Sequence, residues 1–168
     1  MGELGMSDVM LLPGEYFVGG RQFRIRTLLG SCVSITLWHP DARVGAMSHY
    51  LLARHSAREA LLNARYGEDA LELMLAELAL LGVHGRDCHA KVFGGGQMFP
   101  GLGKGETVGH KNGEAARKML KKHAITLVSE SLYGSGHRQI VFNVRTGDVW
   151  SRQVDPGVAV LACKPEKA

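Results

Sequence analysis

The chain has 168 residues and a mass of 18.2 kDa, which is the size of one domain, and we expect residues 1–168 to form a single domain. A hydrophobic share of 45% and a charged share of 21% exclude a disordered or fibrous protein, and no apolar run approaches the ~20 residues of a membrane span. The net charge of +4 arises from scattered basic residues without interleaved aromatic rings, a pattern that argues against nucleic-acid binding.

The first third of the chain is rich in β-branched, aromatic and aliphatic residues and is predicted to be extended. Strands are expected at residues 16–18, 23–29, 32–38 and 44–52. The turn-like sequence His39-Pro40-Asp41 separates the third strand from the fourth and favours a hairpin between them.

Two helices and several further strands are predicted in the remainder. Apolar residues recur at steps of three and four in 56–81, which predicts a helix, and a second helix is expected at 113–123. The remaining strands are expected at 90–93, 125–128, 139–144, 148–154 and 160–163. This order predicts a layered α/β sandwich with mixed or antiparallel sheets, and the absence of a repeated βαβ alternation excludes a doubly wound Rossmann fold.

The three cysteines indicate thiol chemistry or buried small side chains. Cys32, Cys88 and Cys163 are an odd number, and acidic Glu3 and Asp8 stand where a secretion signal needs positive charge, so we expect a cytoplasmic protein without disulfides. No CxxC or HExxH motif occurs, and the glycine-rich stretch 94–107 lacks the Gly-Lys-Ser/Thr of a phosphate loop. We therefore expect no metal and no cofactor.

The predicted hairpin brings one of these thiols beside an imidazole. If the hairpin is centred between Pro40 and Asp41, Cys32 lies directly opposite His49, with Cβ atoms about 4.5–5.5 Å apart on the solvent side of the sheet. The same register pairs Leu37 with Val44, Ile35 with Ala46 and Val33 with Ser48, which gives the other face an apolar character.

A histidine beside a cysteine can accept the thiol proton and leave a thiolate, which is the nucleophile at neutral pH. Gly30 and Ser31 allow a sharp turn that would expose the backbone N–H of Cys32 to a reacting carbonyl and stabilise its oxyanion. The spacing alone fits a second interpretation equally well, in which Cys32 is a buried small hydrophobe and His49 an ordinary strand residue.

Six segments of the chain resemble the CheD family of chemoreceptor glutamine deamidases. They are PGEYFV (13–18), TLLGSCVSITLWHP (27–40), VGAMSHYLL (44–52), KVFGGGQMF (91–99), VGHKNGEAARKML (108–120) and SGHRQIVFNVRTGDV (135–149). They span most of the chain in the family's order, and the segments around Cys32 and His49 are the most specific.

The resemblance implies a fold similar to the catalytic domain of cytotoxic necrotizing factor, a toxin deamidase that uses cysteine and histidine. It implies that Cys32 is the nucleophile and His49 the general base, and Thr27 is the natural counterpart of the family's threonine that orients the imidazole. Ser31 and Gln97 are expected to contact the substrate. The implied reaction converts receptor glutamines to glutamates through a thioester on the cysteine and needs no cofactor.

The expected partners are the cytoplasmic helices of methyl-accepting chemotaxis receptors and a CheC-type phosphatase. A rival hypothesis is a non-enzymatic adaptor that binds receptors or a phosphatase, and a third is a general thiol hydrolase of small amides or esters. The presence of both Cys32 and His49 favours the deamidase over the adaptor, because an adaptor would tolerate their loss.

Overall fold

The computed structural model describes residues 5–56, 61–99, 105–154 and 166–167. Within these ranges the chain forms ten strands and two α-helices, with one turn of 3₁₀ helix at Gly85–Asp87. In chain order the elements are β1 (Ser7–Met10), β2 (Tyr16–Gly19), β3 (Phe23–Leu29), β4 (Val33–His39), β5 (Val44–Ser48), α1 (Gly67–Leu80), β6 (His89–Gly94), α2 (Val108–Lys122), β7 (Thr126–Leu132), β8 (His137–Asn143), β9 (Val149–Val154) and β10 (Glu166–Lys167).

The strands form two mixed sheets. The first has the order β1-β3-β8-β9-β10 and the second the order β2-β5-β4-β6-β7. Each contains one parallel pair, β1 with β3 and β6 with β7, and the remaining neighbours are antiparallel. The parallel pair of the second sheet is connected through α2, which makes one βαβ unit and not the repeated alternation of a Rossmann fold.

The apolar residues form two clusters, which divide the protein into three layers: the helices, the second sheet and the first sheet. One core lies between the two helices and the second sheet, and it includes Leu37, Ala46 and Leu71. A second core fills the space between the two sheets and includes Met47 and Phe142. The second sheet is thus buried on both faces, which explains why β4 is apolar or small at almost every position instead of alternating.

The structure confirms the predicted α/β class, and the sheets are mixed. Most predicted strands are present, but β1 and β10 were not predicted. Of the described residues in the interval 56–81 assigned to the first helix, only Gly67–Leu80 are helical. The second helix begins five residues before its predicted start, because Thr107 caps it by accepting a hydrogen bond from the His110 N–H at 3.1 Å. The predicted strand at 160–163, with Cys163, lies outside the described residues.

The predicted hairpin register was wrong by two residues. The observed pairs are His39 with Val44, Leu37 with Ala46 and Thr36 with Met47, and an isolated bridge joins Val33 to Tyr50. The loop at 40–43 has four residues, and Arg43 adopts a φ of 50° within it. Since a two-residue shift preserves the alternation of faces, Cys32 and His49 stay on the same face of the sheet.

Within the described parts of the chain, the helices are too short or too polar for any of them to span a membrane.

Gly94 packs closely against the loop that carries Cys32. It ends β6 with a φ of 109°, and a side chain at this position would overlap the carbonyl oxygen of Cys32. Gly105 has nearly the same φ, 108°, but no atom of the described residues lies within 4 Å of a Cβ added there. Comparing substitutions at Gly94 and Gly105 therefore separates the cost of backbone strain from the cost of steric overlap.

We expect Gly105→Ala to lower the free energy of unfolding by about 1–3 kcal/mol through strain alone. Gly94→Ala should cost about 1–3 kcal/mol more, because the Cys32 segment must move. Urea unfolding of both variants measures the difference. Equal losses would show that the Cys32 carbonyl is not confined by Gly94.

Candidate active site

Cys32 and His49 lie at the end of the second sheet, on the face that is covered by the first sheet. Cys32 directly precedes β4 and packs against the core between the sheets, while His49 directly follows β5 and is only 2% exposed. The observed register makes them diagonal neighbours, a relation in which Cα atoms lie about 7–8 Å apart, within reach of long side chains. The expectation that they occupy a solvent-exposed face was wrong for His49, which the first sheet covers, whereas Cys32 is half-buried.

A threonine from the first sheet contacts this histidine across the sandwich. The Thr27 Oγ1 lies 2.7 Å from His49 Nδ1 and also 2.8 Å from the carbonyl oxygen of Leu11, which follows β1. A carbonyl only accepts hydrogen bonds, so the single hydroxyl proton of Thr27 goes to Leu11 and His49 Nδ1 must be the donor to Thr27. The imidazole therefore carries its proton on Nδ1 and has its free lone pair on Nε2.

The backbone of His49 is held on both sides by the turn at residues 12–15. Its N–H donates to the carbonyl of Glu15 at 3.0 Å, and its carbonyl accepts from Gly14 N–H at 2.8 Å. The Glu15 carboxylate in turn accepts from the N–H of Leu12 at 2.8 Å, which closes the turn. Backbone and side chain of His49 are thus fixed by separate hydrogen bonds.

The cysteine loop is anchored by the glycines that follow β6. Gly95 N–H donates to the Cys32 carbonyl and Gly96 N–H donates to the Gly30 carbonyl, both at 2.9 Å. Among the described residues no backbone carbonyl accepts from the Cys32 N–H. That N–H group is the donor that the sequence suggested for an oxyanion.

Arg138 of β8 supports the same glycine segment from inside the protein. It is 3% exposed, and its guanidinium donates to the carbonyls of Gly94, Ser131 and Tyr133. No sequence pattern indicated this role, because a lone arginine in a strand is usually on the surface.

Burial sets the protonation of both candidate catalytic groups. It raises the pKa of the Cys32 thiol, and it lowers the pKa of His49 to about 4 against the opposing effect of the Glu15 carboxylate. At neutral pH these shifts favour a thiol beside a neutral imidazole. The imidazole is therefore unprotonated at neutral pH, and the same burial makes it a weaker base than an exposed histidine.

An open cleft of about 560 Å³ lies beside the cysteine loop. Its lining includes Gln97, Thr107, His110 and Tyr133, and it also includes Gly95, which holds the Cys32 carbonyl. Gln97 is thus at the cleft, while its backbone is fixed between Gly134 and Gly136. The backbone carbonyl of Ser31 accepts a hydrogen bond from Asn112, and Ser31 is not among the residues that line the cleft.

The remaining sequence candidates lie apart from this arrangement. Cys88 is 1% exposed in the core beneath the helices, and burial raises its pKa to about 11. Within the described ranges, no group of three or more histidine, cysteine, aspartate or glutamate side chains is placed to hold a metal ion.

Sequence reasoning missed Asn112, which lies on the buried face of α2 and is 1% exposed. Asn112 lies one helical turn before Ala116 on the buried stripe of α2, but it precedes the predicted start of this helix at residue 113. A polar side chain in such a stripe needs buried hydrogen-bond partners.

The lowered pKa of His49 predicts a stability loss in acid. The unfolded chain takes up a proton on this histidine near pH 6.5 and the folded chain only near pH 4, so the free energy of unfolding should fall by about 3 kcal/mol between these values. His49→Gln should remove this part of the pH dependence, whereas substitution of the exposed His137 by glutamine should retain it. Urea unfolding between pH 7 and pH 4 provides the measurement, and an unchanged slope in His49→Gln would contradict the assignment.

Comparison with known proteins relates the chain to bacterial chemotaxis. Residues 51–153, more than half of the chain, match the family model "CheD chemotactic sensory transduction". The chain is 58% identical over 153 residues to probable chemoreceptor glutamine deamidase CheD 2 of Albidiferax ferrireducens, covering 89% of this chain and 88% of that protein. It is 44% identical over 147 residues to probable chemoreceptor glutamine deamidase CheD 3 of Dechloromonas aromatica, covering 86% of each. With matches of this extent and identity, the chain belongs to the CheD family.

Proposed function

We propose that this chain is a chemoreceptor glutamine deamidase. It hydrolyses the side-chain amide of specific glutamines in methyl-accepting chemotaxis receptors and leaves glutamate, in chemotaxis adaptation. The names of its relatives supply the substrate class, and the arrangement of Cys32, His49 and Thr27 supplies the chemistry. Residues 1–168 act as one deamidase domain, and the receptor substrate would place the reaction in the cytoplasm.

The observation that carries this proposal is the hydrogen bond between Thr27 Oγ1 and His49 Nδ1 at 2.7 Å. It selects the tautomer whose Nε2 can accept a proton, and it orients the ring from the sheet opposite to that of Cys32. A buried histidine needs a hydrogen-bond partner in any case, so what bears on catalysis is that Nδ1 is the donor and Nε2 keeps its lone pair. The face shared by Cys32 and His49 supports the same conclusion.

The first half of the reaction forms a thioester. His49 Nε2 accepts the proton of the Cys32 thiol as the sulfur attacks the amide carbon of the glutamine side chain. The N–H of Cys32 is available to the oxyanion of the tetrahedral intermediate. The C–N bond then breaks, and His49 donates its proton to the leaving nitrogen, which departs as ammonia.

The second half hydrolyses the thioester. His49 Nε2 accepts a proton from water, whose oxygen attacks the thioester carbon, and the C–S bond breaks as the tetrahedral intermediate collapses. The sulfur of Cys32 recovers the proton from His49, and the receptor side chain leaves as glutamate. Both halves need a neutral imidazole at the start, and a His49 pKa of about 4 provides it at physiological pH.

The cleft beside the cysteine loop is the proposed position of the receptor's cytoplasmic helices. Gln97 lines it and would contact the substrate, and Ser31 would act through its backbone at the edge of the same loop. A CheC-type phosphatase is a further proposed partner. We also propose a relationship to the catalytic domain of cytotoxic necrotizing factor, supported by the layered α/β sandwich with cysteine and histidine at the end of one sheet.

Incubation with a purified chemoreceptor cytoplasmic fragment tests the activity. Mass spectrometry should show glutamine converted to glutamate by the wild-type protein, and Cys32→Ala should abolish conversion without loss of receptor binding. His49→Ala should lower kcat about 10²–10⁴-fold. Cys88→Ala is the matched control, because Cys88 lies in the core beneath the helices.

Two outcomes would contradict the proposal. Conversion that persists in Cys32→Ala would eliminate the thioester mechanism. Binding by the wild-type protein without any conversion would favour the non-enzymatic adaptor.

The role of Thr27 is tested by a pair of variants that differ in the hydroxyl group. Thr27→Val keeps the shape but removes the partner of His49 Nδ1, and it should lower kcat on the order of 10²-fold because the ring loses its orientation. Thr27→Ser keeps the hydroxyl and should retain most of the activity. If the valine and serine variants lose the same activity at equal stability, Thr27 does not orient the imidazole.

A further inference from the structure

The two strand ends that carry Cys32 and His49 separate from each other near these residues. The ladder between them ends at the bridge between Val33 and Tyr50, where each N–H donates to the partner's carbonyl at 3.0–3.1 Å. Beyond this bridge, Leu51 turns away and its N–H donates to the Arg65 carbonyl at 2.9 Å. On the other strand, the Cys32 carbonyl accepts from Gly95 instead. The direct pairing of the two strands therefore ends at the candidate catalytic pair.

One side chain bridges this gap. The Asn112 amide nitrogen donates to the Leu51 carbonyl at 2.8 Å and to the Ser31 carbonyl at 3.2 Å. Ser31 immediately precedes Cys32, and Leu51 is two residues after His49. An asparagine amide has two N–H donors on one nitrogen, so one side chain can serve both carbonyls at once.

Asn112 itself is firmly held. Its own backbone carbonyl accepts a hydrogen bond from the Tyr50 hydroxyl at 2.6 Å, and the Tyr50 ring is fully buried. Asn112 is 1% exposed within α2, so water cannot easily replace its contacts. A buried amide costs free energy unless its donors are satisfied, and here both are satisfied by the two strand ends.

We propose that Asn112 is a positioning residue that sets the separation between the Cys32 loop and the His49 strand. Its amide binds the backbone carbonyls of Ser31 and Leu51, and it acts through these groups beside the catalytic pair. This inference rests on the proposed function, in which a proton passes between Cys32 and His49. Loss of the bridge would let the strand ends move apart, and proton transfer is sensitive to displacements of about 1 Å.

The test measures how strongly the reactivity of Cys32 depends on His49. Alkylation of Cys32 by iodoacetamide is followed in four proteins: the wild type, His49→Ala, Asn112→Ala and the double variant. We expect His49→Ala to slow alkylation in the wild-type background and to have almost no effect in the Asn112→Ala background. Asn112→Ala should also lower kcat for receptor deamidation about 10²-fold, with KM changed less than twofold.

A matched variant separates positioning from general destabilisation. Ala116→Gly lies one turn further along the buried face of α2 and lowers helix stability without contact to Ser31 or Leu51. We expect it to lower Tm while leaving kcat and the dependence of alkylation on His49 unchanged. A merely structural role of Asn112 would instead make both variants lose activity in proportion to their loss of Tm.

A folded Asn112→Ala protein with wild-type kcat and wild-type dependence on His49 would overturn the inference. If that variant does not fold, Asn112→Ser replaces it, since a hydroxyl donates at most one of the two hydrogen bonds. It should lower kcat at least severalfold, and wild-type kcat would overturn the inference equally. Failure of His49→Ala to slow alkylation in the wild-type background would contradict the proposed catalytic pair itself, which keeps the two failures distinct.

Discussion

The hydrogen bond between Thr27 and His49 is the interaction on which the candidate site depends. Thr27 belongs to the first sheet and His49 follows a strand of the second, so the bond exists only while the two sheets are packed face to face. The Leu11 carbonyl takes the threonine proton and thereby determines which nitrogen of the imidazole is free. The tautomer of the proposed base is thus a property of the whole sandwich and not of the strand that bears the histidine.

Backbone groups and buried amides do most of the remaining positioning. Gly95 and Gly96 hold the cysteine loop through their N–H groups, and Asn112 joins that loop to the strand beyond His49. These groups are short or buried and have few alternative conformations. Rigid support of this kind suits a thiol and an imidazole that are both neutral in the resting state, because proton transfer must then follow from their placement and not from a pre-formed ion pair.

The sequence was most informative where a residue pattern repeats along the chain. It was least informative where the conformation of a loop or a contact between distant residues determines the structure. The fixed alternation of side chains between the two faces of a hairpin was enough to place Cys32 and His49 on one face, yet the register was missed because Arg43 adopts a φ of 50°, which its sequence does not suggest. The start of α2 was missed because glycines at its beginning have low helix propensity, while packing of Gly109 against Gly95 requires a residue without a side chain. Asn112 was missed because its two partners are 61 and 81 positions away in the chain.

The pairing of β3 with β8 has a consequence for when the candidate site can assemble during synthesis of the chain. Thr27 is paired with Ile140, so the sheet that presents the threonine is completed only by a segment near the end of the chain. A ribosome-bound chain that has emerged only as far as His49 already contains the sulfur and the imidazole but lacks the scaffold that joins them. The proposed catalytic pair can therefore be held in place only after the segment that forms β8 has been synthesised.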